Sequence, residues 1–450
     1  MASQPSAPPS DLLGEEAAAP PPYNRARAWL ITAMIVTFMV VNFADKAVLG
    51  LAAVPIMDEL EISHGTYGLI SSSFFLLFSL AGLVVGFVSS RVTSRTLLFV
   101  MTLTWAVAQL PVLVVAAVPT LIAGRVLLGA AEGPAASMSM HALYKWFPPH
   151  RRGLPSALQI SGAALGTLVS APVLTWLITE HGWRSAYVAL AAVSATWALV
   201  WWYVGHDGPF DDAPAGRTRK RGEHNPPAAG TPRLPYRKLL LTGTVLGSIS
   251  SAFGASWALS LSHAWLPSYL RTELGMAPGA AASTISAIAG FSLVLLLTVS
   301  PFMDVLKSRG VSSRWSSGAT QGIAVCVAGS AMAVFPFTDG TVPQLLLLGL
   351  AFGTGAVAVP LHYMTAAEVV PTVQRGAVFG IVAATGTLPG LVTPALTGYL
   401  IDAADTTASG YTAAFLISAL VMILTGLLAV ALIRPERDAE RLEVSVLHGS

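Results

Sequence analysis

An all-α integral membrane protein of twelve transmembrane helices is the fold class this sequence predicts, and three observations carry it. Hydrophobic residues fill 54% of the 450 positions and charged residues only 11%, whereas a soluble domain carries about 25% charge. The apolar residues gather into runs of roughly the 20 residues that a bilayer core of about 30 Å requires. Six such runs precede a polar stretch and six follow it.

In chain order the runs are Ala28 to Gly50, Tyr67 to Ser89, Thr96 to Val118, Thr120 to Leu143, Leu154 to Ile178 and Ser185 to Val204. They resume at Leu239 to Trp265, Ala280 to Met303, Gly318 to Phe335, Gln344 to Thr365, Ala377 to Leu400 and Tyr411 to Ile433. Each is read as one span, because in hydrocarbon a lone segment satisfies its backbone only as a helix. Trp29, Trp176, Trp201 and Trp202 fall near run ends, where interfacial anchors belong. Before the first run lies a polar, Pro- and Ala-rich stretch whose only basic residues are Arg25 and Arg27. That is not the pattern of a cleavable signal peptide.

Residues 205–238 carry six prolines and seven Lys or Arg, including Arg217, Arg219, Lys220 and Arg221. They read as a mostly disordered tether between two halves. The expected organisation is a polar N-terminus at 1–27, a six-helix bundle at 28–204, a linker at 205–238, a second six-helix bundle at 239–433 and a tail at 434–450. Of the 25 Lys and Arg, 21 fall on one side of the membrane, two (Arg184 and Arg271) on the other and two inside spans. Basic residues concentrate in cytoplasmic loops, so both termini are placed in the cytoplasm and the chain in the cell membrane. Pro148, Arg152 and Gly153 after the fourth run recur at identical spacing as Pro371, Arg375 and Gly376 after the tenth. Such an echo suits two halves related by an axis along the membrane normal.

The formal net charge of +2 gives no reason to expect a nucleic-acid partner. The single Cys326 excludes an intramolecular disulfide framework and reads as a small buried residue. Charge becomes informative where it lies inside the spans: Asp45 and Lys46 in the first, Arg125 and Glu132 in the fourth. Ionised groups at that depth are costly and normally face a watery cavity and pair with one another. Arg125 and Glu132 are two helical turns apart and share a face, whereas Asp45 and Lys46 point about 100° apart. Arg and Lys suit a carboxylate ligand, the first as a planar fork and the second as a point charge. Partly desolvated carboxyl groups at Asp45 and Glu132 would exchange a proton near neutral pH unless their basic neighbours compensate. The alternative is that two ion pairs merely fix helix packing, which apolar packing does at lower cost. Asn42, one turn before Asp45, could bond a ligand or a neighbouring carbonyl. His362 and His263 are titratable groups of the second half, and the glycines of the eleventh run at 376, 380, 386, 390 and 398 suggest close helix contacts. Glu368 is expected in a salt bridge with Arg375 or another loop base.

These residues resemble the major facilitator superfamily and, within it, the anion:cation symporter family. Asn42-Phe43-Ala44-Asp45-Lys46 is similar to that family's N-[YF]-x-D-R signature, and Arg125 to Glu132 to its R-x3-G-x2-E. Trp146-Phe147-Pro148 leading to Arg152-Gly153, Gly182-Trp183-Arg184, and Trp265 to Leu270 (WLPSYL) extend the likeness across the membrane portion. The resemblance implies the major facilitator fold, a monomer, and proton-driven symport of an organic anion by alternating access. It implies Asp45 and Glu132 as proton-coupling residues and Arg125 and Lys46 as the groups that handle the anion. Asn42, His362, Trp257 and Thr387 complete the expected substrate site, with Arg91, Asp304, Arg152 and Arg375 as gating residues. The resemblance further implies a proton as the coupling ion, with no other cofactor or metal expected, and a small organic acid and the bilayer as the partners. Uniport and proton-coupled export remain open.

The sequence departs from the pattern at several positions. Lys46 replaces an Arg and loses its bidentate geometry, and the loop from Gly86 to Thr93 lacks an Asp and a Gly. Phe78, Ser256, Trp257 and Thr387 stand where the family carries polar pocket residues. These changes favour a less hydroxylated substrate, such as an aromatic or short aliphatic carboxylate. No phosphate-binding loop, H-E-x2-H or G-x-S-x-G occurs, which argues against ATP hydrolysis and against an intramembrane enzyme. A membrane sensor would more naturally carry an appended soluble domain, and none is expected from these 450 residues.

Overall fold

The computed structural model describes residues 24–88, 91–148, 151–210, 234–371 and 374–442, with the side chains at 83, 87, 88, 300 and 304 excepted. Most of the linker, Ser90 and the two chain ends lie outside the described residues. The first half contains α1 (Arg25–Leu51), α2 (Ala53–Leu60), α3 (His64–Ser73), α4 (Phe78–Val88), α5 (Ser94–Ala108), α6 (Pro111–Val114), α7 (Val118–Glu132), α8 (Ala135–Tyr144), α9 (Gly153–His181) and α10 (Trp183–Val204). The second contains α11 (Tyr236–Leu240), α12 (Gly243–Ala264), α13 (Leu266–Thr272), α14 (Pro278–Ser308), α15 (Thr320–Val334), α16 (Thr341–Gly353), α17 (Ala358–Val369), α18 (Arg375–Thr387), α19 (Pro389–Ala403), α20 (Thr407–Leu432) and α21 (Pro435–Arg441).

Helix starts follow the polar punctuation. The side chains of Asn24, Ser63, Thr93, Thr242 and Thr406 each accept a backbone N–H in the first turn of α1, α3, α5, α12 and α20. Within the spans, hydroxyls such as Thr32, Thr102 and Ser418 donate to carbonyls four residues back, so these polar groups are satisfied within their own helices. On α20 the aliphatic Leu420, Leu424 and Leu428 are exposed while Tyr411, Phe415 and Met422 are buried. An apolar outer face of this kind is what a bilayer covers.

Eleven helical stretches among the described residues are long and apolar enough to cross a membrane. The twelfth expected run is the fourth, and here two shorter helices, α7 and α8, meet at Gly133-Pro134. Pro134 brings no N–H, so the helical ladder is interrupted there. The kink also reflects packing: a Cβ at Gly129 would sit 1.7 Å from the Phe74 carbonyl, and one at Gly133 1.9 Å from that of Phe78. Only glycine lets α7 come this close to the turn between α3 and α4.

The internal echo is structural. Arg152 Nε donates to the carbonyl of Phe147 (2.9 Å), and Arg375 Nε to that of Val370 (3.2 Å), in each case the residue before the repeated proline. The two halves meet through α3 on α19, α9 on α14 and α1 on α12. At one end of that contact, Asp402 of α19 accepts from the backbone N–H groups of His64 (3.1 Å) and Gly65 (2.8 Å) and from His64 Nδ1 (3.2 Å). The same end carries Glu59, whose carboxyl is held down at about 2 by hydrogen bonds from Arg184 and Trp183.

Candidate functional site

Four helix segments converge on the intramembrane charges. α1 supplies Asn42, Asp45 and Lys46; α7 supplies Arg125 and Glu132; the end of α5 supplies Gln109; and Phe74 leads into the turn before α4. Asp45, Glu132 and Asn42 are at most 1% exposed, and Arg125 is 7% exposed. Burial that complete makes the partner of each charge the deciding fact.

Lys46 Nζ lies 2.7 Å from Glu132 Oε2 and donates to Asn42 Oδ1 at 2.5 Å. Its ammonium also stands 4.5 Å above the Phe43 ring and 5.9 Å from Phe74 and Phe78. Asp45 turns the other way, where Gln109 Nε2 donates to its Oδ1 at 2.7 Å. The second carboxylate oxygen of Asp45 has no hydrogen-bond partner among the described residues. The roughly 100° between adjacent side chains therefore sends Asp45 and Lys46 to different partners.

Arg125 is different. Its Nη1 donates to the main-chain carbonyl of Asp45 at 3.3 Å, its guanidinium lies 4.7 Å from the Phe74 ring centroid, and its Nε has no partner. Among the described residues it forms no ion pair. Of the two ion pairs the sequence suggested, one forms, between helices. Arg125 borders a cleft together with Gln109, Leu121, Gly124, Leu128 and Tyr187. The Tyr187 hydroxyl is buried and has no partner among the described residues. A buried cation with open N–H groups beside an amide and a phenol is suited to hold an anion.

The other expected residues are spread more widely. Asn42 is engaged with Lys46 rather than with a backbone carbonyl. Thr387 bonds Ser79 across the halves at 2.6 Å. Trp257 directs its indole N–H to Ser418 on α20 (2.9 Å), and His362 is buried against Tyr363. Arg91 is exposed before α5. Arg152 and Arg375 clamp the turns described above, and the side chain of Asp304 lies outside the description. Lys307 instead pairs with Glu368 at 2.7 Å. Gln109 and Tyr187 were not singled out from the sequence; an amide inside an apolar run was the available signal for the first, as it was for Asn42.

The sequence profile of the Major Facilitator Superfamily matches residues 34–319 and 310–446. The chain is 27% identical over 413 residues to the Hexuronate transporter of Bacillus subtilis (strain 168), covering 88% of this chain and 92% of that one. It is 25% identical to the D-galactonate transporter of Escherichia coli O6:H1, covering 83% and 89%. It is 26% identical to the Probable sulfoacetate transporter SauU of Cupriavidus necator, covering 80% and 84%. In fold it is similar to the inward open conformation of the xylose transporter XylE from E. coli, with a TM-score of 0.70, 13% identity, and 93% and 99% of the two chains covered. A crystal structure of a bacterial homolog of the human lysosomal transporter Spinster, in an inward-facing and occupied conformation, gives 0.69 at 15% identity, covering 93% and 98%.

Proposed function

Because the chain belongs to the major facilitator superfamily, we propose that it carries an organic anion, a carboxylate, across the cytoplasmic membrane by proton-coupled symport. The observation that carries this reading is Arg125: a buried guanidinium with one backbone acceptor and no carboxylate partner among the described residues. Leaving such a charge uncompensated is expensive, and a substrate carboxylate supplies the missing partner. The names of the relatives, transporters of hexuronate, galactonate and sulfoacetate, support an anionic cargo.

In this mechanism the substrate carboxylate docks on the Arg125 fork, with Gln109 and Tyr187 within the same cleft. A proton arriving on Glu132 neutralises the partner of Lys46 and frees the ammonium; a proton on Asp45 does the same for the Gln109 contact. Loading of proton and anion thus changes the same α1–α7 contact, and the two six-helix halves, 28–204 and 239–433, rock about it. With both termini in the cytoplasm, the Asp402 clamp on α3 lies on the outer face. Arg152 and Arg375 hold the equivalent inner turns of the two halves, and Arg91 and Asp304 belong to the inner gate.

Purified protein tests the anion reading directly. Ligand binding to the folded state raises its melting temperature, so short aliphatic and aromatic carboxylates are expected to raise it in a concentration-dependent way. Their methyl esters, which keep the shape and lose the charge, are expected to have no effect. Equal stabilisation by acid and ester would overturn the proposal.

A further inference from the structure

The cleft beside Arg125 contains one group that an anion site does not call for. Gln109 ends α5, where the chain breaks before Pro111 opens α6. It is 3% exposed, its Nε2 is spent on Asp45 Oδ1 at 2.7 Å, and its Oε1 has no hydrogen-bond partner among the described residues. Gly124 brings it to Arg125: a Cβ at 124 would stand 2.7 Å from the Ala108 carbonyl oxygen, so only glycine lets α7 approach the end of α5 this closely. The rest of the cleft's polar lining is either committed or a donor. The Thr120 hydroxyl donates to the Ala117 carbonyl (2.7 Å), while Arg125 Nε and the Tyr187 hydroxyl are buried without a partner among the described residues. A carboxylate accepts and cannot donate, so an amide oxygen left over beside those two donors is mismatched to it.

Rotation of the amide removes the mismatch. The last torsion of a glutamine is broad and roughly two-fold, so the side chain can keep its contact with Asp45 while its oxygen and nitrogen exchange places. What fixes the orientation is the proton on Asp45. An ionised carboxylate accepts from Nε2, whereas a protonated one has an O–H to donate. Asp45 Oδ2 has no partner among the described residues, which leaves Gln109 Oε1 as the acceptor at hand. We propose that Gln109 is an inverting amide through which a proton on Asp45 creates a donor for the substrate carboxylate held by Arg125. The step forms one O–H bond, with a proton taken from the aqueous phase, and breaks none in the glutamine. Without that proton the same amide presents its oxygen to the cleft and disfavours the anion. This inference rests on the reading of Arg125 as the anchor and Asp45 as a proton acceptor, and it adds the link between them. Of the other titratable groups around the pair, Lys46 and Glu132 are engaged with each other, and Arg125 and Tyr187 border the cleft. Tyr67 of α3 donates to the Leu49 carbonyl (3.0 Å), and His263 of α12 packs on Phe43. α9 carries no titratable residue between Leu154 and Ile178.

The test measures carboxylate affinity on the purified full-length protein at an acidic and an alkaline pH, both above the pKa of the ligand. The ligand is the tightest binder among propionate, benzoate and galactonate. The unaltered protein is expected to bind about tenfold more tightly at the acidic pH, the contribution of one hydrogen bond to a charged group. In Gln109→Met that ratio should fall to about threefold or less, and the loss should appear as weaker binding at the acidic pH. In an Asp45→Asn background the ratio is already reduced, and adding Gln109→Met should lower it no further. Gln109→Glu, which accepts when ionised and donates when protonated, should keep at least the parent's ratio, and it serves as the readout if the Met variant does not fold. A ratio undiminished in Gln109→Met, an equal loss at both pH values, a further drop in the Asp45→Asn background, or a collapsed ratio in Gln109→Glu would overturn the role of Gln109 and leave the Arg125 anchor standing. Binding by the unaltered protein that does not change with pH would do the same. Failure of the unaltered protein to bind any of the three acids would overturn the anchor as well.

Discussion

Replacing Arg125 with methionine is expected to weaken carboxylate binding and uptake on the order of 100-fold. A bidentate pair supplies two charge-assisted hydrogen bonds, each of about 1.5 to 3 kcal/mol, and about 2.8 kcal/mol corresponds to two decades in affinity. Arg125→Lys keeps the charge and loses the fork, so a smaller loss of about tenfold is expected. The melting temperature should fall little in either variant. No carboxylate among the described residues loses an ion-pair partner, and the principal contacts given up are the Phe74 ring and one carbonyl. Titration calorimetry with the best-binding carboxylate measures the first effect and a thermal melt the second. An Arg125→Met protein that binds as tightly as the parent would remove the anchor from the account.

Glu132→Gln is expected to behave in the opposite way, with a large loss of stability and an altered mode of transport. The substitution leaves Lys46, 2.7 Å away and partly buried, without its counter-charge, and breaking a buried pair from one side costs up to about 3 to 5 kcal/mol. Removing both charges together in Lys46→Met/Glu132→Leu should recover most of that stability, because no isolated charge remains. Neither variant should accumulate substrate against its gradient, since the proton-accepting carboxylate is gone from both. If the double variant regains gradient-driven accumulation along with its stability, the pair is only a packing element. Thermal melts and vesicle uptake, run side by side, separate the two roles.

Much of the fold was legible because hydrophobic runs report length and count directly. The fourth run shows the limit: hydropathy passes smoothly over Gly133-Pro134, while the backbone breaks there to fit α7 against Phe74 and Phe78. The repeated Pro148/Arg152 and Pro371/Arg375 spacing was also legible, and its physical meaning is an arginine clamping the carbonyl before each proline. The four charges stood out by the rarity of ions in apolar spans. Their pairing did not, because the spacing of Arg125 and Glu132 fixes a shared face on α7 and says nothing of the register of α1 against it. Gln109 and Tyr187 were missed because neutral polar groups raise little contrast in a hydrophobic run. The glycines of the eleventh run divide in the same way. Gly390 and Gly398 lie against Phe75 and the His64 carbonyl, whereas a Cβ at Gly376 or Gly380 would meet no described atom within 4 Å. Sequence marks a small residue but not the neighbour that requires it.

The central claim is that the buried carboxylates couple a proton gradient to movement of an organic acid bound at Arg125. Uptake of a labelled carboxylate into protein-containing lipid vesicles, with an acidic exterior and protein-free vesicles as the reference, tests it most directly. Accumulation above the external concentration is expected in the unaltered protein, abolished in Asp45→Asn and Glu132→Gln. Protein-dependent uptake that stops at equal concentrations whatever the imposed pH difference would contradict it.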